Sequence, residues 1–285
     1  MKRGLDKRLR ASWDAVIDTE GRTFGLVGCR PFLENKIVND IFYEGTANGT
    51  PCIVKCSSRA PDSIENEYEM SRRLSAVAPV CAEALAKWRS RDGRMAFVVT
   101  RRLEGPSLTQ MLSRGVAGEE AVSALRDMVG IAEALLEAGI VWRDIITDNF
   151  MMDGGHLKLI DAQFAIDRRN FREDPFLVSR WTYRTLLFAH HPDMAGRGWN
   201  DVAMMLRFSR LFAAGDEGEA LRDRLRAMSA EAAFPAEYGF VDDVRMALTL
   251  ASLQLRRPFA SRRRRGVLEE RAARAKRFLA RRTQW

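Results

Sequence analysis

The sequence contains no apolar run of the length that a membrane-spanning helix needs, about 20 residues, and it is poor in cysteine and histidine. The basic N-terminal stretch also has no apolar core of the kind that a signal peptide carries. The three histidines and four cysteines do not have the spacing of zinc ligands. We therefore expect a cytoplasmic protein without a zinc site. The cysteines expected to be reduced and packed are Cys29, Cys52, Cys56 and Cys81.

Positive charge is concentrated in one stretch of the sequence. The net charge of the 285 residues is +8, but the stretch from Arg256 to Arg282 contains twelve Lys or Arg and two Glu, a local net of +10. Subtracting this +10 from the total of +8 leaves −2 for the rest of the chain. The basic excess therefore belongs to a tail and says little about the main fold.

The first part of the sequence is rich in predicted strands. Strands are predicted between residues 24 and 60, with a hairpin turn at Asn48 and Gly49, two residue types that adopt positive φ readily. A helix is predicted within residues 61–77 from its apolar periodicity, with Asp62 or Ser63 as the candidate N-cap. An apolar strand over residues 94–103 then leads into a Gly-Pro turn.

The second part is dominated by helix. A long amphipathic helix is predicted over residues 119–139, ending at a glycine suited to a left-handed cap. Two short strands follow, joined by an Asp-Gly-Gly turn, and the pattern is mostly helical to about residue 255. These patterns predict an α+β fold. The predicted divisions are an N-terminal extension (1–23), a strand-rich part (24–103), a helical part (104–255) and a basic helix or tail (256–285).

One passage, GIVWRDIITDNFMMDGGHLKLIDAQF at residues 139–164, carries a constellation of polar residues. It resembles the protein-kinase-like superfamily, in which a helix ends in Gly and is followed by His-Arg-Asp, an Asn five positions later, a β-hairpin and Asp-Phe-Gly. Here Asp144 follows Trp-Arg, Asn149 lies five positions later, and Asp161 follows the hairpin. The resemblance covers roughly residues 24–210 and implies a two-lobed kinase fold, with a strand-rich N-lobe and a helical C-lobe.

The upstream part of the sequence agrees with this resemblance. Lys55 ends the segment Ile-Val-Lys, where the family places its phosphate-contacting lysine. Glu67, in the following helix, resembles the glutamate that pairs with that lysine. Glu65 and Glu69 are the alternatives, and Glu67 is preferred because apolar residues follow it at +3 and +7. Thr100 lies where the family has the back of its adenine pocket.

The resemblance implies a kinase that uses ATP and Mg²⁺ and has an alcohol group as acceptor. Because the transferring phosphoryl group spreads negative charge over its oxygens, catalysis consists mainly of positioning and charge neutralisation. Lys55 is expected to hold the phosphates, and Asn149 and Asp161 are expected to bind Mg²⁺ as hard oxygen ligands. Asp144 is expected to accept the proton of the acceptor hydroxyl. Asp201 resembles the helix aspartate that braces the backbone of the catalytic loop.

The sequence departs from the family where the phosphates are covered. The Gly-rich loop is missing, since the corresponding stretch, GCRPFLENKIVNDIF at residues 28–42, contains a single glycine. Arg30 and Lys36 are candidates to replace it, although solvated charge is the commoner role for each. Trp142 also replaces the family's His, and Ala-Gln replaces its Phe-Gly after Asp161. The four polar groups needed for transfer survive, so the pattern predicts a divergent but active enzyme.

Two further departures bear on the acceptor. Protein Ser/Thr kinases usually carry Lys two residues after the catalytic Asp, where this chain has Ile146, and no Ala-Pro-Glu signature closes a peptide-binding segment. The chain is most similar to small bacterial lipopolysaccharide-core and small-molecule kinases, so the expected acceptor is a glycan or glycolipid. A protein Ser/Thr kinase that autophosphorylates on Ser179, Thr182 or Thr185 is one alternative. A non-catalytic pseudokinase scaffold is the other.

The tail at residues 256–285 has apolar residues near one helical face and basic residues around it. A basic amphipathic helix binds anionic membrane, with each Lys or Arg near the surface contributing about 1 kcal/mol. We therefore expect either peripheral contact with the inner face of the cell membrane or packing of the apolar face on the C-lobe. Nucleic acid is a less favoured partner because few aromatic residues are interleaved with the basic ones.

Overall fold

The computed structural model shows an α+β protein in which an antiparallel sheet is followed by a group of helices, and the predicted α+β class is confirmed. Within the part of the chain that the structure describes, no helix is long and apolar enough to cross a membrane. The described residues are 12–35, 40–58, 61–169 and 200–232, with the single positions 251 and 269.

The strands of the large sheet are β1 (Trp13–Thr19), β2 (Arg22–Asn35), β3 (Asp40–Ala47), β4 (Thr50–Ser57), β5 (Ala84–Arg89) and β6 (Ala96–Arg101). They are hydrogen-bonded in the order β1-β2-β3-β4-β6-β5, and each neighbouring pair is antiparallel. The predicted hairpin joins β3 to β4 through Asn48 and Gly49, whose φ angles of 48° and 82° suit a tight two-residue turn. The turn fixes the register of the pair by placing Ala47 opposite Thr50.

The sheet begins earlier in the chain than the sequence analysis predicts. Residues 13–23, assigned above to an N-terminal extension, form β1 and the start of β2. The side chains of β1 alternate in exposure, with Ile17 buried and the adjacent Val16 largely exposed. That alternation is typical of a half-buried strand. Of the predicted extension, residues 1–11 lie outside the described part of the chain.

Helix α1 (Pro61–Val77) spans the predicted range and packs on one face of the sheet. Its buried Ile64 and Tyr68, one turn apart on the helix, cluster with Val98 of β6. Lys55 of β4 lies directly opposite Val98 in the strand register. Because cross-strand partners share a face of the sheet, the lysine side chain lies on the face that α1 covers.

The helical part contains α2 (Leu108–Arg114), α3 (Gly118–Ala138), α4 (Asp201–Ser209) and α5 (Gly215–Ala232). The apolar side of α3 is buried in a core shared with α4 and α5. Helix α3 ends at Gly139 as predicted, with the glycine in the left-handed conformation at φ 63°. The predicted phosphorylation sites and the basic tail, apart from position 269, lie outside the described residues.

Two small strand pairs hold the polar constellation together. Strands β7 (Ile140–Val141) and β10 (Ile166–Asp167) form one antiparallel pair, and β8 (Phe150–Asp153) and β9 (His156–Leu159) form the other. The segment carrying Asp144 and Asn149 therefore runs between β7 and β8, while Asp161 lies between β9 and β10. The two pairings bring these segments, which are separate in sequence, to the same place.

Candidate active site

Strand β4 places Lys55 in the interior of the protein. The residue is 3% exposed, and in the register of the sheet it lies between Phe42 of β3 and Val98 of β6. The Nζ atom lies 5.6 Å from the centroid of the Phe42 ring. A buried ammonium group is costly unless anionic groups compensate it, so its partners define the site.

Helix α1 provides the first partner. Lys55 Nζ donates a hydrogen bond of 2.9 Å to Oε2 of Glu67, which is 5% exposed. The two alternatives from the sequence face elsewhere: Glu65 pairs with Arg89, and Glu69 pairs with Lys87. The structure therefore brings Glu67, the preferred candidate, to the lysine.

Asp161 provides the second partner. Its Oδ1 atom lies 2.6 Å from Lys55 Nζ, and its side chain is 25% exposed. The backbone of Asp161 has φ 68°, a left-handed conformation that costs a residue with a Cβ atom about 1–3 kcal/mol and is found mainly at functional sites. This conformation turns the chain between β9 and the following 3₁₀ turn, Ala162–Phe164.

Asp144 and Asn149 are joined to each other and lie beside Asp161. The Asn149 Nδ2 atom donates to the Asp144 backbone carbonyl at 2.9 Å and to Asp144 Oδ2 at 3.0 Å. The backbone N–H of Ile160, the residue before Asp161, donates to the Asn149 carbonyl at 2.9 Å. This bond continues the β8–β9 pairing and sets Asn149 against the segment that carries Asp161.

Asp201, at the first position of α4, holds the start of this segment. Its carboxylate accepts the backbone N–H of Trp142 at 2.5 Å and that of Arg143 at 3.0 Å. Arg143 has φ 68°, and its Nε atom donates to the carbonyl of Phe164 at 2.6 Å. The bracing contact that the resemblance implied for Asp201 is therefore present in the structure.

Burial and neighbouring charges shift the pKa of Lys55 in opposite directions, and burial and the charge of Lys55 likewise oppose each other in the pKa of Glu67. Burial alone would lower the pKa of the Lys55 ammonium, but the negative charges of Asp161, Glu67 and Asp40 together raise it. Burial raises the pKa of the Glu67 carboxyl, although the positive charge of Lys55 opposes that rise. Lys55 is therefore held in its charged form.

Asp144 differs from an ordinary aspartate in its acidity. Burial and the negative charge of Asp161 raise the pKa of Asp144 to about 7, against the opposing hydrogen bond from Asn149. A carboxyl group with a pKa near neutrality can both accept and release a proton under physiological conditions. The structure thus gives Asp144 the acidity that suits a general base.

Asp40 is a member of the site that the sequence analysis missed. It is 2% exposed, it lies opposite Ser57 at the start of β3, and its Oδ1 atom has no hydrogen-bond partner among the described residues. Burial raises the pKa of its carboxyl, and the charge of Lys55 opposes this. A two-residue turn at Asn48 and Gly49 sets the register that places Asp40 on the Lys55 face, so a signal was present in the sequence.

The remaining residues predicted for the site lie elsewhere in the sheet or outside the described residues. Thr100 is opposite Ile53, two residues along β4 from Lys55. Arg30 is largely exposed, and its Nε atom donates to Glu44 at 2.7 Å. Lys36 lies outside the described residues.

The oxygen atoms of Asp161 and Asn149 fit the requirements of Mg²⁺. Lys55 contacts one carboxylate oxygen of Asp161, and both hydrogen bonds of the Asn149 side chain are made by its nitrogen. Each residue therefore retains an oxygen ligand. Within the described ranges, no group of three or more His, Cys, Asp or Glu could hold a metal ion. Two protein ligands nevertheless suit Mg²⁺, which keeps several waters and binds through substrate phosphates.

Comparison with known proteins finds distant structural likenesses and no match by sequence. No family model matches the chain, and no curated protein matches it. Among solved structures, the BubR1 kinase domain is similar, with 16% sequence identity and a TM-score of 0.41. The match covers 55% of this chain and 51% of that one, so the chain spans about half the length of the solved structure. A likeness this distant identifies neither an activity nor a substrate.

Proposed function

We propose that the protein is a two-lobed, kinase-like phosphotransferase that uses ATP and Mg²⁺ and transfers the γ-phosphoryl group to a hydroxyl. The observation that carries this proposal is the buried ammonium of Lys55 between the carboxylates of Glu67 and Asp161. Asp144 and Asn149 lie next to the same segment. Together these groups supply the cation, the metal ligands and the base that phosphoryl transfer needs.

Each polar group has a distinct task in this proposal. When bound, Mg²⁺ neutralises negative charge on the phosphates. Lys55 donates hydrogen bonds to the phosphate oxygens, and Glu67 keeps the ammonium in place. Asn149 and Asp161 provide the oxygen ligands for the metal. Asp144 orients the acceptor hydroxyl and accepts its proton, and its pKa of about 7 suits that role because a base works best near the operating pH.

The acceptor that we propose is a sugar hydroxyl of a lipopolysaccharide core or a similar glycan. The support is the apolar Ile146 at the position where protein kinases usually carry Lys. We also propose that residues 256–285 hold the cytoplasmic enzyme against an anionic membrane surface, where glycolipid acceptors are found. Deleting these residues should abolish sedimentation with anionic vesicles, and a truncated protein that still sediments would contradict this part of the proposal.

The activity is tested with γ-labelled ATP, Mg²⁺ and a host extract separated into glycolipid, protein and small-molecule fractions. Asp161→Ala, which removes a metal ligand, is the variant that should lose transfer. Asp148→Asn is a matched control because Asp148 is an exposed aspartate in the same segment as Asn149. We expect label in the glycolipid or sugar fraction with the wild type and the control, and none with Asp161→Ala.

The other outcomes separate the alternatives. Label confined to protein, and lost in Asp161→Ala, would favour a protein Ser/Thr kinase. Binding of Mg²⁺-ATP without transfer to any fraction would favour a pseudokinase scaffold. Label that persists in Asp161→Ala would come from a contaminating enzyme and would remove the support for this site.

A further inference from the structure

Helix α1 is attached to the segment that follows Asp161 by a buried side chain. Asn66 is 9% exposed, and its Nδ2 atom donates to the backbone carbonyls of Gln163 at 3.2 Å and Ala165 at 2.8 Å. An amide that serves two buried carbonyls at once is a specific attachment, because losing it leaves both acceptors without that donor.

A second attachment lies two helical turns further along α1. Arg73 Nη1 lies 2.6 Å from Asp167 Oδ2, and Arg73 Nη2 donates to the carbonyl of Ala138 at 2.6 Å. The other oxygen of Asp167 accepts the backbone N–H of Arg169 at 2.8 Å, so the carboxylate is held from both sides. Asn66 and Arg73 are seven residues apart and therefore lie on the same side of the helix.

These two attachments connect the two carboxylates that meet on Lys55. Asn66 is adjacent to Glu67 in the chain, and Gln163 lies two residues after Asp161. We propose that Asn66 and Arg73 are positioning residues that fasten α1 to the segment after Asp161. By doing so they hold Glu67 and Asp161 on the lysine at the same time. The catalytic side of this inference rests on the proposed phosphotransferase function.

Ordinary packing of a helix is the competing explanation, and the same helix offers a matched control for it. Arg89 of β5 makes ion pairs with Asp62 at 2.8 Å and with Glu65 at 2.6 Å, both on α1. These pairs join α1 to the sheet and do not involve the segment after Asp161. Arg73→Gln and Arg89→Gln therefore each remove one arginine that joins α1 to a neighbouring element, and only the first removes part of the proposed attachment.

The test compares Arg73→Gln, Arg73→Lys and Arg89→Gln in the full chain by backbone hydrogen exchange and steady-state kinetics. For Arg73→Gln we expect faster exchange in α1 and in residues 162–169 together. We also expect kcat to fall on the order of 10-fold with the KM for the acceptor unchanged, since small displacements of catalytic groups cost rate. Arg73→Lys should restore part of kcat, and Arg89→Gln should retain wild-type kcat.

Asn66→Ala is the stronger variant, and Arg73→Gln keeps the test decisive if Asn66→Ala does not fold. Equal effects of Arg73→Gln and Arg89→Gln would overturn the inference, as would faster exchange with unchanged kcat. If the wild type transfers no phosphate, the proposed function fails, and affinity for Mg²⁺-ATP replaces kcat as the readout. The inference then requires weaker nucleotide binding in Arg73→Gln than in Arg89→Gln, and equal binding overturns it.

Discussion

Two regions of this protein bury carboxylates, and they satisfy the charge in different ways. At the start of α4, Asp201 is buried and accepts hydrogen bonds from two backbone N–H groups, whose dipoles stabilise its negative charge. Around Lys55, the carboxylates of Glu67 and Asp161 contact one ammonium, and the negative charge of Asp40 also acts on it. A buried carboxylate that the backbone satisfies acts as a brace. A cluster with surplus negative charge is suited to cationic ligands such as Mg²⁺.

Asp144 resembles Asp201 in its burial and the carboxylates that contact Lys55 in accepting a hydrogen bond from a side chain. Like Asp201 it is almost completely buried, but its carboxylate accepts a hydrogen bond from a side-chain amide, that of Asn149. Its pKa rises to about 7, compared with about 6 for Asp201, in both cases chiefly through burial. The difference predicts that Asp144 is needed for chemistry and Asp201 for structure.

Replacing Asp144 should have the largest effect on activity. We expect Asp144→Asn to lower kcat by about 10²- to 10⁴-fold, the usual contribution of a general base, while the protein remains folded. The exposed neighbour Asp148 provides the control, and Asp148→Asn should change kcat little. Rates of γ-phosphoryl transfer and urea unfolding measure the two properties. An Asp144→Asn protein with near wild-type kcat would exclude Asp144 as the base.

Replacing Asp201 should affect stability instead. Asp201→Ala leaves the backbone N–H groups of Trp142 and Arg143 without their acceptor, and each buried orphan donor costs about 1–3 kcal/mol. We therefore expect the free energy of unfolding to fall by about 2–4 kcal/mol, measured by urea denaturation. A stability equal to that of Asp144→Asn, together with a selective loss of kcat, would show that the two regions do not differ in this way.

The pH dependence should distinguish Asp144 from the rest of the molecule. A base must be deprotonated to act, so kcat/KM should rise with pH through about 7, and this acid limb should be absent from Asp144→Asn. Stability should change in the opposite direction. Because the pKa of Asp144 is raised on folding from 3.8, its contribution to stability is present below about pH 4 and is lost as the pH rises through about 7.

The measurement compares the free energy of unfolding of the wild type with that of Asp144→Asn at each pH. That difference should become less favourable to the wild type between about pH 4 and pH 7, measured by urea unfolding at constant ionic strength. A difference that is flat over this range would show that Asp144 titrates at its ordinary pKa in the folded protein.

Local signals in the sequence predict much of the fold and part of the site. The helix predicted within residues 61–77 is observed as α1, because its apolar period is a local signal, but it begins at Pro61, before the predicted caps Asp62 and Ser63. The Asn48-Gly49 turn and the glycine that ends α3 were predicted for the same reason. The spacing from Asp144 to Asn149 and Asp161 reflects two short strand pairs, and these bring the three residues together as the resemblance implied.

Features that depend on distant contacts could not be predicted from local patterns. Asn66 and Arg73 look like ordinary polar positions of an amphipathic helix, and their partners lie 65 to 99 residues further along the chain. The strand at Trp13–Thr19 was missed because its alternation is short and its partner strand had to be identified first. The role of Asp40 emerges only when the hairpin register is combined with the burial of its side chain in the folded protein.

Replacing Asp40 should have the smallest effect on the kinetics. It tests directly how the excess of carboxylates around Lys55 affects the binding of ATP. Asp40→Asn removes one of three negative charges near Lys55 with almost no change in shape, so the lysine should attract phosphate more strongly. We expect the KM for ATP to fall about 2- to 5-fold, equivalent to about 0.4–1 kcal/mol. The control is Asp62→Asn, which removes an exposed carboxylate of α1 that pairs with Arg89.

The direction of the change in KM for ATP decides what Asp40 does. A lower KM in Asp40→Asn would mean that the Asp40 carboxylate competes with phosphate for Lys55. Binding of the nucleotide would then weaken the interaction between Asp40 and Lys55. A higher KM would mean that Asp40 positions the ammonium together with Glu67 and Asp161, so that the surplus negative charge is part of the binding geometry. In that case the three carboxylates act as one unit, and the variant should also lower the affinity for Mg²⁺-ATP measured without acceptor.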